Sequence, residues 1–111
     1  MFDSLSKWAW LTDHIPYGRA DAISADDLST LMGFDKRELR RAVEKARRDS
    51  ILICGDERGY YKPESYAEIS SYVHRVRSRI RTASVCLAPF IREIKQAERR
   101  AAHDDIYNAL P

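Results

Sequence analysis

The chain has 111 residues, of which 44% are hydrophobic and 32% are charged, a composition typical of one folded, soluble domain with a helical bias and a modest core. The longest apolar runs are too short to cross a bilayer, and the first ten residues lack the basic and apolar regions of a signal peptide. We therefore expect a cytoplasmic protein that neither spans nor binds a membrane.

The positive charge lies in the second half of the chain. Residues 1–35 contain two basic and six acidic residues, a net charge of −4, whereas residues 36–100 contain seventeen basic and nine acidic residues, a net charge of +8. Asp104 and Asp105 add the remaining −2 to reach the overall +2. Such asymmetry favours a polyanionic partner.

The first residues predict a short helix followed by a very short strand. The helix ends in the sequence HIPYGR, because Pro16 and Gly18 interrupt it. Its apolar positions at helical spacing are Leu5, Trp8, Thr12 and Ile15. Trp10 lies on the opposite face, where packing under a later helix is the main interpretation and a partner-binding patch is the alternative. Residues 22–23 are the predicted strand.

Two helices across a tight glycine turn are predicted next. Ser24 with Asp27 resembles a capping box, and Gly33 is well placed as the C-terminal stop of the helix that follows. We expect its buried side to consist of Leu28, Leu31 and Met32. Asp35 with Glu38 then makes a second capping pair. The helix that it opens has a 3-4-3 apolar spacing, formed by Leu39, Ala42, Val43 and Ala46.

A β-hairpin and a long helix complete the pattern. β-Branched and aromatic residues flank the turn sequence GDERG, which predicts a hairpin that ends at Pro63. Ser65 with Glu68 is a third capping box, opening a long helix with a heptad seam. The seam comprises Ile69, Val73, Val76, Ile80, Ala83, Leu87, Phe90, Ile94 and Ala97. Pro89 predicts a kink or break near residues 85–89. We expect a core of residues 1–63, a long helix of residues 64–100, and a fraying tail of residues 101–111.

The order of these elements is that of a winged helix-turn-helix domain, mainly α with a small β-hairpin wing and a long C-terminal helix. Between residues 14 and 75 the string IPYGRADAIS…LSTLMGFDKRELRRAVEKARRD…ILI…GYY resembles small phage and prophage winged-helix proteins of Gram-positive bacteria. The resemblance implies that residues 36–48 are the recognition helix and residues 55–59 the wing tip. It also implies sequence-specific DNA binding, in transcription control or in phage replication or excision.

The predicted recognition helix lies in a stretch with seven Lys or Arg between residues 34 and 49. Arg37 and Arg41 fall opposite Leu39, the centre of the buried face, so we expect them to contact guanine in the major groove. Glu44 is a candidate acceptor for cytosine N4. The residues expected to hold phosphates are Lys36, Arg40, Lys45 and Arg48. The alternative is a basic helix whose charges merely form a solvated face.

The predicted wing tip, residues 56–58, carries more acid than base. Any phosphate contact from the wing therefore depends on Arg58 and Lys62. Asp26 and Asp27 lie near the start of the helix-turn-helix, where they would repel phosphate, and we expect them to cap the helix instead.

The heptad seam predicts a homodimer, since a chain of this length does not easily cover so long an apolar stripe. The expected dimerisation residues are Val73, Val76, Ile80, Leu87 and Ile94. A dimer would read a pseudo-palindromic operator. The alternative is packing on the first helix of the same chain. Beside the seam lie Arg75, Arg77, Arg79 and Arg81, interpreted as a solvated rim or as a second track for phosphates.

No enzyme motif occurs: phosphate loop, zinc-protease helix, paired C-x-x-C and nucleophile elbow are all missing. We expect no catalytic residues, no metal and no cofactor, and two reduced, partly buried cysteines, Cys54 and Cys86. The alternative function is a protein-interaction module that keeps the fold but uses the long helix and the acidic wing to bind another protein.

Overall fold

The computed structural model describes residues 4–109 of the chain, and it is mainly helical with one β-hairpin and a long C-terminal helix. In chain order the elements are α1 (Ser4–Lys7), α2 (Ala9–Thr12), a 3₁₀ helix (Arg19–Asp21), α3 (Ala25–Met32), α4 (Lys36–Arg48), β1 (Cys54–Asp56), β2 (Gly59–Tyr61) and α5 (Tyr66–Ala109). The chain divides into two compact units, Met1–Val73 and His74–Pro111. The first two turns of α5 belong to the first unit.

The predicted first helix is interrupted at Trp8 and therefore forms two short helices, α1 and α2. Trp8, Thr12 and Ile15 are buried as the helical spacing predicts, and Leu5 lies outside the residues whose side chains are described. Leu11 is also buried, although the predicted set did not include it. Trp10 is 45% exposed, and its ring packs edge-on against Phe34 with 6.0 Å between ring centroids. Packing of Trp10 on a later part of the chain is therefore partial.

Both predicted helix starts at α3 and α4 are present. Of the capping box predicted at Ser24, one half is present: Ser24 Oγ accepts a hydrogen bond from Asp27 N. Gly33 adopts the left-handed conformation that ends α3. Asp35 and Glu38 form a complete capping box at the start of α4. The buried side of α3 is Leu28 and Ser29 with a half-buried Met32. The prediction that Leu31 is buried is wrong, since it is 60% exposed.

The hairpin is shorter than predicted and gains a partner at one edge. β1 and β2 pair antiparallel with Cys54 opposite Tyr61, while Ile51 and Ile53 are buried without belonging to a strand. Ile23 forms an antiparallel bridge with Tyr60, exchanging two backbone hydrogen bonds of 2.9 and 2.8 Å. The predicted strand at residues 22–23 is thus a single bridge that adds a third line of pairing to the hairpin.

One core holds the first unit together. It is formed where α2, α3, α4 and the residues before β1 meet, and its fully buried side chains include Leu11, Ile15, Leu28, Leu39, Val43 and Ile53. Burial of this apolar surface is the main stabilising contribution to the unit.

The second unit is helical through Ala109. Pro89 lies inside α5 and does not end it, so of the kink or break predicted near residues 85–89 the helix shows no break. The residues after position 100, which were predicted as a tail without a clear pattern, continue the helix as far as Ala109. Cys86 is exposed, whereas Cys54 is buried. No helix in the described part of the chain is long and apolar enough to cross a membrane.

Candidate nucleic-acid interface

The orientation of α4 is determined by its apolar side. Leu39, Val43 and Ala46 are at most 1% exposed, and Ala42 is also buried. All four predicted core positions of this helix are confirmed. Because these residues face the core, the remaining residues of the helix point to solvent, and every one of the predicted contact residues is exposed: Lys36, Arg37, Arg40, Arg41, Glu44, Lys45 and Arg48.

Two of the exposed basic side chains are paired within the protein. Lys36 Nζ lies 2.7 Å from Asp26 Oδ1, and Arg48 Nη2 lies 2.8 Å from Glu44 Oε1. Both pairs are solvent-exposed, so each contributes little to stability and is easily exchanged for another partner. A carboxylate accepts several hydrogen bonds, so this pair leaves Glu44 able to accept another from a base.

Four basic side chains of α4 form neither an ion pair nor a hydrogen bond in the part of the chain that the structure describes: Arg37, Arg40, Arg41 and Lys45. We call these four residues the basic face. Their uncompensated charge lies on the solvent side of a helix that is capped at its start and packed along its opposite side. Such a surface suits a polyanion, because binding would neutralise charges that the described residues do not pair.

Arg47 belongs to α4 but not to the basic face. Its Nε donates to the backbone carbonyl of Ile53 at 2.8 Å, and its guanidinium lies 5.5 Å from the centre of the Tyr72 ring. It therefore connects the end of α4 to the start of the hairpin and to the first turns of α5. No sequence pattern had distinguished this arginine from its neighbours.

The negative charge at the tip of the hairpin is balanced by Arg19, a residue outside the hairpin. Arg19 Nε donates to Asp56 Oδ2, and Arg19 Nη2 lies 3.1 Å from Glu57 Oε1. The hydrogen bond and the charge of Asp56 raise the pKa of Arg19 above its ordinary value. The Asp56 side chain is only 1% exposed, so Glu57 is the one acid of the tip that faces solvent.

The two basic residues predicted for the hairpin have different surroundings. The backbone N–H of Arg58 donates to Asp56 Oδ1 at 2.8 Å, which closes the turn and leaves the Arg58 side chain exposed. Lys62 Nζ lies 4.2 Å from the centre of the Tyr17 ring, a cation–π distance. Arg58 is thus free to contact an anion, while Lys62 is already held beside an exposed tyrosine.

Two carboxylates, Asp49 and Glu68, form hydrogen bonds with distant parts of the first unit. Asp49, at the end of α4, accepts from Trp8 Nε1 at 2.7 Å and from Lys7 Nζ at 3.1 Å, and these bonds lower its pKa. Glu68 accepts from the backbone N–H groups of Arg19 and Glu64, which lower its pKa. The predicted capping box at Ser65 is therefore half correct: Ser65 Oγ accepts from Glu68 N, but the Glu68 carboxylate bonds to other partners.

Among the described residues, no group of three or more His, Cys, Asp or Glu side chains is arranged to hold a metal ion. No protein-family model matches the chain, and no curated protein and no solved structure shows significant similarity to it.

Proposed function

We propose that this protein is a cytoplasmic winged helix-turn-helix protein that binds double-stranded DNA in a sequence-specific manner. In this proposal α4 is the recognition helix, the hairpin is the wing, and the protein acts in transcription control or in replication or excision of a phage-type element. The observation that carries the proposal is the basic face, whose four cations are exposed and have no acidic partner among the described residues.

The positions along α4 suggest how the contacts divide. Arg37 lies in the first turn and Arg41 one turn later, on the side opposite Leu39. Helix residues at these positions reach base edges when the start of the helix enters the major groove, where arginine recognises guanine O6 and N7. Arg40 and Lys45 flank them and would hold phosphates, which sets affinity rather than sequence choice.

The wing is compatible with this role because of Arg19. With Asp56 and Glu57 both bound to Arg19, the tip no longer presents two free carboxylates to the DNA backbone. The exposed Arg58 side chain is then the wing residue best placed for a phosphate contact.

The test begins with selection of bound fragments from a random duplex library, followed by fluorescence anisotropy at several salt concentrations. We expect Arg37→Ala and Arg41→Ala each to lose about 1–3 kcal/mol of preference for the selected site. We expect Arg40→Ala and Lys45→Ala to weaken binding to all duplexes and to reduce the salt slope by about 0.9 each.

Arg92→Ala, in the second unit, is the matched control and should bind like the unaltered protein. Failure of the unaltered protein to bind any duplex at low salt would disprove the proposal.

A protein-interaction module is the second candidate function, and the exposed apolar seam of α5 favours it. The acidic residues of the hairpin, Asp56 and Glu57, do not favour this alternative, because both are bound to Arg19. Under this alternative, substitutions in the basic face would leave partner binding unchanged, and salt would have little effect on affinity.

A further inference from the structure

The seam of α5 is open to solvent from Val73 to Ile94. Val73, Ile80, Leu87, Phe90 and Ile94 are between 38% and 68% exposed. Pro89 lies two residues after Leu87, on the outward side of the helix, so its ring does not interrupt the seam. A contiguous apolar stripe of this length on a helix requires a covering surface.

The heptad repeat gives each residue of the helix a position. Val73, Ile80, Leu87 and Ile94 occupy the a positions, and Val76, Ala83, Phe90 and Ala97 occupy the d positions. The flanking g positions hold Arg79, Cys86, Glu93 and Arg100, and the e positions hold Arg77, Ser84, Ile91 and Glu98. Among these g and e residues, the two before Ala83 are arginines, Arg77 and Arg79. Both acidic residues, Glu93 and Glu98, come after Leu87.

A second copy aligned in parallel fits this pattern poorly. Glu93 would face Glu98 of the second chain, and the symmetry of the dimer would repeat this repulsion on the other flank. The core layers would also be uneven, because Ala83 would meet Ala83 and Phe90 would meet Phe90. Two small residues that face each other leave a cavity in the core, and two large ones overfill their layer.

An antiparallel second copy fits the pattern well. When the two helices cross between Ala83 and Leu87, every layer joins an a residue to a d residue: Ala83 with Leu87, Ile80 with Phe90, Val76 with Ile94, and Val73 with Ala97. Each of the two alanines then faces a larger residue, which evens the volume along the core.

The flanking charges select the same alignment. In it, Arg79 faces Glu93 of the second chain on both sides of the two-fold axis, and no like-charged pair of g or e residues forms along the paired segment. A shift by one heptad would bring Arg79 opposite Arg100 of the second chain. We propose that α5 pairs with α5 of a second chain in antiparallel orientation, centred between Ala83 and Leu87 and held in register by Arg79 and Glu93.

This pairing is independent of DNA binding, and its test contains no DNA. The full-length protein is studied by sedimentation equilibrium as unaltered chain, Arg79→Glu and Glu93→Arg. Each substitution turns two attractive pairs into two repulsive ones, so we expect each to weaken self-association by about tenfold to a hundredfold. An equimolar mixture of the two variants restores both attractive pairs and should associate like the unaltered chain.

Lys95→Glu changes the same amount of charge as Arg79→Glu at an outward position and is the matched control, expected to leave association unchanged. Circular dichroism checks that every variant keeps its helix. In a parallel dimer Glu93→Arg would instead tighten association by removing the repulsion with Glu98. That result, or a monomeric unaltered chain at all concentrations, would overturn the proposal.

A chemical cross-link gives a second readout. In the antiparallel register the exposed Cys86 of each chain faces its copy across the two-fold axis, whereas in a parallel dimer the two thiols lie on opposite flanks. A short bis-maleimide should therefore join the unaltered chains covalently and leave Cys86→Ser uncoupled. Absence of the covalent product at a concentration where sedimentation shows a dimer would exclude this register.

Discussion

At Gly59 the backbone of the hairpin lies close against the segment before α3. Its φ is 132°, and a Cβ added there would overlap the backbone carbonyl of Ile23. Only glycine combines this backbone angle with so close an approach. The bridge between Ile23 and Tyr60, and with it the attachment of the hairpin, depends on the absence of a side chain at this position.

We expect Gly59→Ala to lower the free energy of unfolding by about 2 kcal/mol or more, since the overlap with Ile23 can be relieved only by moving backbone. Gly55→Ala, one strand away, is the control: its Cβ would lie 3.5 Å from its nearest neighbours. Urea unfolding measures both. Equal effects of the two substitutions would contradict the role given to Gly59.

The lowered pKa of Asp49 makes the stability of the fold depend on pH. Its pKa is lowered in the folded state by the hydrogen bonds from Trp8 and Lys7, so the carboxylate stabilises the fold above the unfolded pKa of about 3.9. This contribution is lost as pH falls through the lower, folded pKa. We expect Asp49→Asn to reduce the melting temperature at pH 7 but to have a smaller effect at pH 3. An equal reduction at both values would show that the charge of Asp49 contributes nothing.

At the scale of elements, α4 is the helix on which the fold and the proposed function both depend. Its start is held by the capping box of Asp35 and Glu38, its length by four buried apolar residues, and its end by Arg47 and Asp49. The basic face thus rests on a helix that is fixed along its whole length. A surface held in this way can contact a duplex without losing much conformational freedom on binding.

Arg47 and Arg37 lie in the same helix, but their truncation should change stability by different amounts. We expect Arg47→Ala to lower the free energy of unfolding by about 1–3 kcal/mol. The substitution leaves the Ile53 carbonyl without this donor and removes the contact with the Tyr72 ring. Arg37→Ala should change stability by less than about 0.5 kcal/mol, since Arg37 is exposed. Urea unfolding of both variants tests this. A larger loss for Arg37 would mean that the basic face has a structural role.

At the scale of the whole molecule, the two units carry different kinds of surface. The first has a closed core and an uncompensated basic face, and the second has a continuous helix with an exposed apolar seam. The first surface suits a polyanion and the second a helix of complementary shape. In the two proposals made for this protein, nucleic-acid binding and self-association therefore reside in separate parts of the chain.

We expect Ile80→Asp to prevent self-association, because it buries a charge in a layer of the paired helices. Arg81→Asp, at the adjacent outward position, is the control and should have little effect. Sedimentation equilibrium of the two variants and the unaltered chain distinguishes them. If both variants dissociate equally, the seam is not the surface that joins the chains.

Patterns that extend over three or four residues were sufficient to predict much of the first unit. The capping box at Asp35, the stop at Gly33, the buried residues of α4 and the hairpin around residues 55–59 all follow from local spacing. The exposure of the predicted contact residues of α4 also follows, since a helix that buries one side must expose the other.

Tertiary structure alone decided how distant residues meet. Arg19 binds Asp56, Glu57 and the Glu68 carboxylate, which lie 37, 38 and 49 positions away in the chain. The exposure of Leu31, the structural role of Arg47 and the continuity of α5 through Pro89 were likewise not predictable from local pattern. Residue type and spacing determine which side of an element is apolar, whereas the partner of each polar side chain depends on which elements pack together, and packing is a property of the folded chain as a whole.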